Sequence, residues 1–142
     1  MTPIRISYAR VDQFESLNQN ISNGENRSTA YLSASEPEWL RTLNNFLLHN
    51  IHNAELTNTE LAEQMYMSER VFYRKLKEET GYTPNHYIRK VRLETARQML
   101  LSGHYNRVKE VAHAVGFGKV SYFSELFQRM FGERPAEFMG RA

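Results

Sequence analysis

Arg70 and Arg74 stand four residues apart, and Tyr73 and Lys77 complete a set at spacings of three and four. On a helix such a set shares one face. Its chemistry is donation: the planar guanidinium of arginine matches the O6/N7 edge of guanine, while a lysine ammonium suits a phosphate oxygen as a mobile point charge. A second set follows in a later amphipathic run: Lys119, Val120, Ser121, Tyr122 and Glu125. It is much less basic. Val120 suits a thymine methyl, Ser121 either kind of base edge, and Glu125 the N4 amine of cytosine. Glu125 is equally suited to repelling phosphate. Lys75, Lys77, Arg89, Lys109 and Arg129 are the candidates for neutralising phosphates. A basic face alone is as compatible with an ordinary solvated helix, so the segments that position these residues decide the reading.

Those segments repeat. Leu61-Ala62 followed by Met65-Tyr66-Met67 recurs 50 residues later as Val111-Ala112 followed by Val115-Gly116-Phe117. Phe72, Leu76, Gly81, Pro84 and Tyr87 recur 51 residues later as Phe123, Phe127, Gly132, Pro135 and Phe138. One residue has therefore been added within or just after the second tight turn. An apolar-Ala unit, a short turn and a second amphipathic run read as a helix-turn-helix, with the alanine where the two helices touch. Two such units imply two recognition helices.

The rest of the chain supplies helix punctuation. Ser35-Glu36-Pro37-Glu38 fits a capping box opening a helix that carries Trp39, Leu40, Leu43, Phe46, Leu47 and Ile51 on one face and ends near His52. Thr57-x-x-Glu60 is a second capping box. Ser68 caps the third helix, which stops before Gly81. Thr83-Pro84 starts a long fourth helix with Tyr87, Ile88, Val91, Ala96, Met99 and Leu100 inward, ended by Ser102-Gly103. Asn106 caps a fifth helix. The sixth runs from about Lys119 to Met130 and stops at Gly132, and Pro135 starts a short last one. No segment alternates steadily, so the fold class is all-α: two helix-turn-helix units, at about 57–80 and 107–131, joined by a linker helix at about 84–102, about seven helices in all. Residues 1–36 are rich in Asn and Ser and read as linker or tail, with a short strand over 4–8 or a helical turn over 11–17 as local options. Residues 37–142 form the domain.

Composition excludes more than it selects. There are no cysteines, hence no disulfide, thiolate metal site or cysteine nucleophile, which suits a reducing, cytoplasmic setting. No apolar run is long enough to span a membrane. Residues 1–56 carry four Lys/Arg against six Asp/Glu, and residues 57–142 carry fourteen against ten, so the repeated half is the basic half. His49 and His52 are three apart, but with no Cys or carboxylate beside them they read as surface residues rather than a metal site. No phosphate-binding glycine loop or nucleophile elbow is present, so neither an enzyme nor a cofactor is expected.

The second unit in particular, Val111-Ala112-x-x-Val115-Gly116-Phe117, then Ser121-Tyr122-Phe123-Ser124, then Phe127-x-x-Met130-Phe131-Gly132-x-x-Pro135-x-x-Phe138, resembles the DNA-binding domain of the AraC/XylS family of bacterial transcription regulators. Leu61-Ala62, Met67-Ser68, Arg74-x-x-Lys77-x-x-x-Gly81-x-x-Pro84, Tyr87-Ile88 and Arg92-Leu93-x-x-Ala96 extend the resemblance to residues of about 37 to 139. It implies binding of double-stranded DNA, RNA polymerase as a partner, and a separate effector or signalling domain absent from this chain. The acidic lead-in reads as a linker, so the chain reads as the output end of a longer regulator or hybrid two-component protein rather than a small stand-alone regulator. Tyr66 departs from the usual glycine, which implies a distorted turn or an outward ring. Glu125 and Gln128 replace usual basic residues, Arg134 replaces a Ser/Thr cap, and Phe138 replaces tyrosine.

A linker helix of about 18 residues spans roughly 27 Å, which suits two recognition helices in successive major grooves about 34 Å apart. The reading is a sequence-specific transcription regulator. The alternative is a protein-interaction module in which the Tyr73 and Tyr122 faces meet a partner such as RNA polymerase, with weak DNA affinity.

Overall fold

The structure is a computed structural model and describes residues 36–141. The expected Ser35 cap, and the local options over 4–8 and 11–17, lie outside the described residues. Six α-helices and one short 3-10 helix, with no strand, make up the described residues. They fall into two compact units, one from 36–48 and 57–87, the other from 49–56 and 88–141.

In the first unit, α1 (Glu38–His49) buries Leu40, Leu43 and Leu47 along one stripe. Asn44 lies on the same stripe and is also buried, because its Oδ1 accepts from the Tyr87 hydroxyl at 2.7 Å. The capping box opening α2 (Asn58–Gln64) forms as expected. Thr57 Oγ1 accepts from the Glu60 amide at 3.1 Å, and the Thr57 amide donates to Glu60 Oε1 at 2.9 Å. Leu61 and Ala62 are buried where α2 packs on α3 (Glu69–Thr80). Phe72, Leu76 and Thr80 are the buried face of α3, and Gly81, at φ 84°, ends it. The Thr83 hydroxyl accepts from the His86 amide at 3.3 Å and opens α4 (Pro84–Ser102).

The second unit holds α4 from residue 88, the segment 49–56, α5 (Val108–Ala114), α6 (Val120–Phe131) and the 3-10 helix Pro135–Phe138. Its core is Leu93, Ala96, Met99, Leu100, Val111, Ala112, Val115, Phe117, Phe123, Leu126, Phe127 and Phe138. Phenylalanines dominate: Phe123 lies 5.2 Å from Phe117 and 5.6 Å from Phe127, whose ring meets Phe138 edge-on at 5.2 Å. Such offset and edge-on pairs add to plain burial.

Two boundaries differ from expectation. The first helix ends at His49, not near His52, because the backbone beyond it turns (Asn53 amide to Asn50 carbonyl, 3.0 Å) and gives carbonyls to a side chain of α4. Asn106 does not cap the fifth helix. Arg107 occupies that position without a side-chain acceptor, and the Asn106 amide donates to Glu110 Oε1 at 3.3 Å. The short closing element is a 3-10 helix, and, as expected of Arg134 in place of Ser/Thr, no side chain caps it; the Arg134 amide donates to Glu137 Oε1 at 3.3 Å.

Glu36, at the start of the described chain, has its carboxyl pushed up to about 7 by burial, with Glu79 adding to the shift and Arg41 opposing it. A carboxyl raised above its usual value of 4.5 stabilises the fold below that value and loses its contribution as pH rises through about 7. Glu36→Gln should therefore flatten the fall in thermal stability between these pH values and leave the variant the more stable of the two at pH 8. Melting curves across pH check this; parallel pH profiles for parent and variant would refute it.

Candidate nucleic-acid interface

The two turns are the same structure made from different residues. After α2 the Met67 amide donates to the Ala62 carbonyl at 2.9 Å and the Tyr66 amide to the Glu63 carbonyl at 3.0 Å. After α5 the Phe117 amide donates to Ala112 at 2.9 Å and the Gly116 amide to His113 at 3.0 Å. This is the Schellman pattern, which needs one left-handed residue. Gly116 fills that place at φ 91° and Tyr66 at φ 59°. The expected choice at Tyr66 resolves as an outward ring on an undistorted turn, since the side chain is 96% exposed. The residue added in the second unit is Gly118: Met67 leads straight to the cap Ser68, whereas Phe117 is followed by Gly118 and then Lys119 at the equivalent position.

Ser68 Oγ accepts from the Val71 amide at 3.2 Å, and the Thr59 hydroxyl bonds Glu69, tying the start of α2 to the first turn of α3. With Phe72 and Leu76 inward, Arg70, Tyr73, Arg74 and Lys77 emerge together on the exposed face. Lys75 does not join them. Its ammonium lies 5.3 Å from the Trp39 ring centroid, on the flank of α3 beside α1.

On α6, Phe123, Leu126 and Phe127 are inward, and Ser121, Glu125, Gln128 and Arg129 are exposed. Val120 was expected on the exposed turn, but it is half-buried and packs against the core because it lies three residues before Phe123. Tyr122 is 47% exposed and leans edge-on to Phe117 at 6.1 Å. Lys119 is exposed at the N-cap position and gives no side-chain cap. Arg129 Nη2 bonds Glu125 Oε2 at 2.7 Å, one turn apart on the helix. Lys109 is exposed in the first turn of α5, and Arg89 is half-buried on α4, off both recognition helices.

The residue that holds the second turn is Arg92. Its Nη1 donates to the Val115 carbonyl at 2.7 Å and to the Ile51 carbonyl, and its Nη2 to the Asn53 carbonyl at 2.9 Å. Burial lowers its pKa from the ordinary arginine value, and three carbonyls offset part of that cost. A Cβ on Gly116 would fall on this guanidinium and 2.6 Å from the Ile51 oxygen. A signal for Arg92 existed in the sequence, since it lies four residues from Ile88 and from Ala96 on the apolar face of α4. Among the described residues no group of three or more His, Cys, Asp or Glu side chains is placed to hold a metal ion, and no helix is long and apolar enough to cross a membrane.

Comparison with known proteins gives the arrangement its context. Residues 61–141 match the helix-turn-helix domain family. The chain is 40% identical over 77 residues to the transcriptional activator RhaS of Salmonella arizonae, covering 54% of this chain and 27% of that protein. It is 27% identical over 110 residues to histidine kinase P4 of Formosa agariphila, covering 78% of this chain and 8% of the kinase. The chain thus spans about a quarter of RhaS and under a tenth of the kinase. Among solved structures, the DNA-binding domain of the transcription factor AdpA in complex with a target DNA superposes with a TM-score of 0.63 at 28% identity, covering 72% of this chain and 90% of that one.

The two turns predict opposite responses. Tyr66→Gly should stabilise the chain by ~1 kcal/mol, because an L-residue in the left-handed region carries a cost of about that size. Gly116→Ala should destabilise it by ~2 kcal/mol or more, from the same backbone cost plus the collision with Arg92. Denaturant titration of both variants measures this; equal effects in the two turns would contradict it.

Proposed function

The chain belongs to the AraC/XylS family of helix-turn-helix DNA-binding domains, and on that premise we propose that it binds double-stranded DNA by sequence and regulates transcription, α3 and α6 each entering one of two successive major-groove segments. The observation that carries this reading is the face of Arg70, Tyr73, Arg74 and Lys77 on α3, set by a Schellman turn and a serine cap. In it two guanidiniums one turn apart offer forked donors to guanine edges, and Lys77 offers a charge to phosphate. Lys109 and Arg89 are the further proposed phosphate contacts. Lys75 ranks behind them because it is engaged at Trp39. Base contacts from the α6 half are proposed for Lys119, Ser121, Tyr122 and Glu125, and Val120 contributes its partly buried methyls.

RhaS and the histidine kinase are several times longer than the segment they share with this chain. By likeness to them, the module acts as the DNA-binding output of a longer regulator, in the cytoplasm, with effector or signalling functions supplied by another domain and RNA polymerase as the protein partner. A second reading, docking to protein through the exposed Tyr73 and Tyr122 rings, is favoured by the shortage of cations on α6.

Selection of bound sequences from a random duplex pool should enrich one asymmetric site. Arg74→Ala should then lose ~1–3 kcal/mol on that site and relax one or two base pairs. Equal loss on specific and random DNA would make Arg74 a phosphate contact instead. Log K should fall with log salt by ~0.9 per phosphate contacted. A nearly flat salt dependence with no enriched site would support the protein-docking reading.

A further inference from the structure

The two recognition helices stand in register: α3 begins after Ser68 and α6 after Lys119, and both end at a left-handed glycine. Residue by residue, Arg70, Tyr73, Arg74 and Lys77 on the exposed face of α3 correspond to Ser121, Ser124, Glu125 and Gln128 on α6. Every cation of the first face is replaced by a neutral or acidic group. Arg129, one turn further along α6, bonds Glu125 Oε2 at 2.7 Å. The α3 face thus presents mostly donors, whereas the α6 face presents a carboxylate at the rung where α3 carries Arg74.

A carboxylate in a groove walled by phosphates is tolerated only where it is neutralised or accepts hydrogen bonds from a base amine. Arg129 supplies the first condition. It takes one oxygen of the exposed Glu125 carboxylate, leaving the acceptor capacity of the other for a base. The pair is exposed on both sides, so it costs little to reorient when DNA arrives. Cytosine, which offers its N4 amine to the major groove, supplies the second. Thymine offers an oxygen there, which would meet the carboxylate as acceptor against acceptor.

Resting on the DNA-reading function above, we propose that Glu125, steadied by Arg129, makes α6 a conditional reader: it selects a cytosine amine in its half of the site and rejects a carbonyl at the same position. The two halves of the site are then read by opposite chemistry, donation from α3 and acceptance by α6. Glu125 acts by discrimination rather than by added affinity, and Arg129 is its positioning residue rather than a phosphate contact.

The test starts from the duplex enriched by the full chain. Its cytosine under the α6 footprint is changed from a C·G to a T·A pair, and both duplexes are titrated with parent protein and with Glu125→Gln. The parent should lose about tenfold or more on the T·A duplex. Glu125→Gln, whose amide can present a donor or an acceptor, should bring the ratio below about threefold. Arg129→Ala, which leaves the carboxylate unsteadied, should lower the C·G to T·A ratio as well; an equal loss on both duplexes would make Arg129 a phosphate contact and overturn its positioning role. An enriched site with no cytosine under the α6 footprint overturns the proposal. So does a C·G to T·A ratio unchanged in Glu125→Gln, as expected if this face docks protein. The duplex comparison uses parent protein alone and survives a folding defect in a variant. Failure of the broader reading looks different: no sequence is enriched at all. Loss of this inference alone leaves an enriched site that still depends on Arg74.

Discussion

Arg92 bonds three backbone carbonyls at once, and much of the second unit is arranged around that contact. The carbonyls of Ile51 and Asn53 belong to the segment after α1, and that of Val115 belongs to the turn before α6. Taking a guanidinium out of water is costly, and it is repaid only where its donors are met. The carbonyls are equally dependent on it, because a backbone oxygen turned away from its own helix needs a partner. The contact therefore fixes where the first helix stops, the path of residues 50–56, and the approach of the chain at Gly116, where no side chain fits. Only Gly118 and Lys119 separate that turn from α6, so the start of α6 lies close to the place where Arg92 holds the backbone.

The first turn shows what the same fold permits without that constraint. Its hydrogen bonds match those of the second turn, yet its left-handed residue is a tyrosine whose ring stands in open space. The Schellman bonds are a requirement of the backbone, and the glycine at 116 is a requirement of Arg92 packed against it. The added Gly118 belongs to the same difference. It lies between the turn and Lys119, and the helix after it starts without a side-chain cap, whereas the helix after Met67 starts on Ser68.

Much of this was legible in the sequence because the signals are local. The Thr57 capping box, the Ser68 cap, the stops at Gly81 and Gly132 and the inward stripe of α4 each depend on residues within a turn or two of one another, and all form. The features that escaped depend on distant partners. Asn44 is buried because Tyr87 waits for it 43 residues on. The first helix is cut short by an arginine 41 residues away. Lys75 is a phosphate candidate by its charge, but its position on the helix turns it to Trp39. Val120 looked exposed in the first turn of α6, but it sits three residues before Phe123 and packs inward. The charged face on α3 was readable because its residues share one side of one helix, and the Glu125–Arg129 bond was absent from the reading although its spacing of four allows it.

The duplication supplies the last step. An apolar framework of the same kind, alanine between crossing helices and phenylalanine or leucine inward, is present in both units, while the exposed rungs differ: Arg, Arg and Lys in the first, Ser, Glu and Gln in the second. Core positions are held by packing, where a change of one methylene is felt. Exposed positions have no such restraint from folding, so their divergence leaves stability nearly untouched. The two helices are thus free to differ in what they contact while remaining alike in how they are built. A site read by two unlike faces has no internal symmetry, so a single chain would engage it in one orientation. Direction along DNA would then follow from the placement of Arg74 and Glu125 on equivalent rungs of two otherwise similar helices.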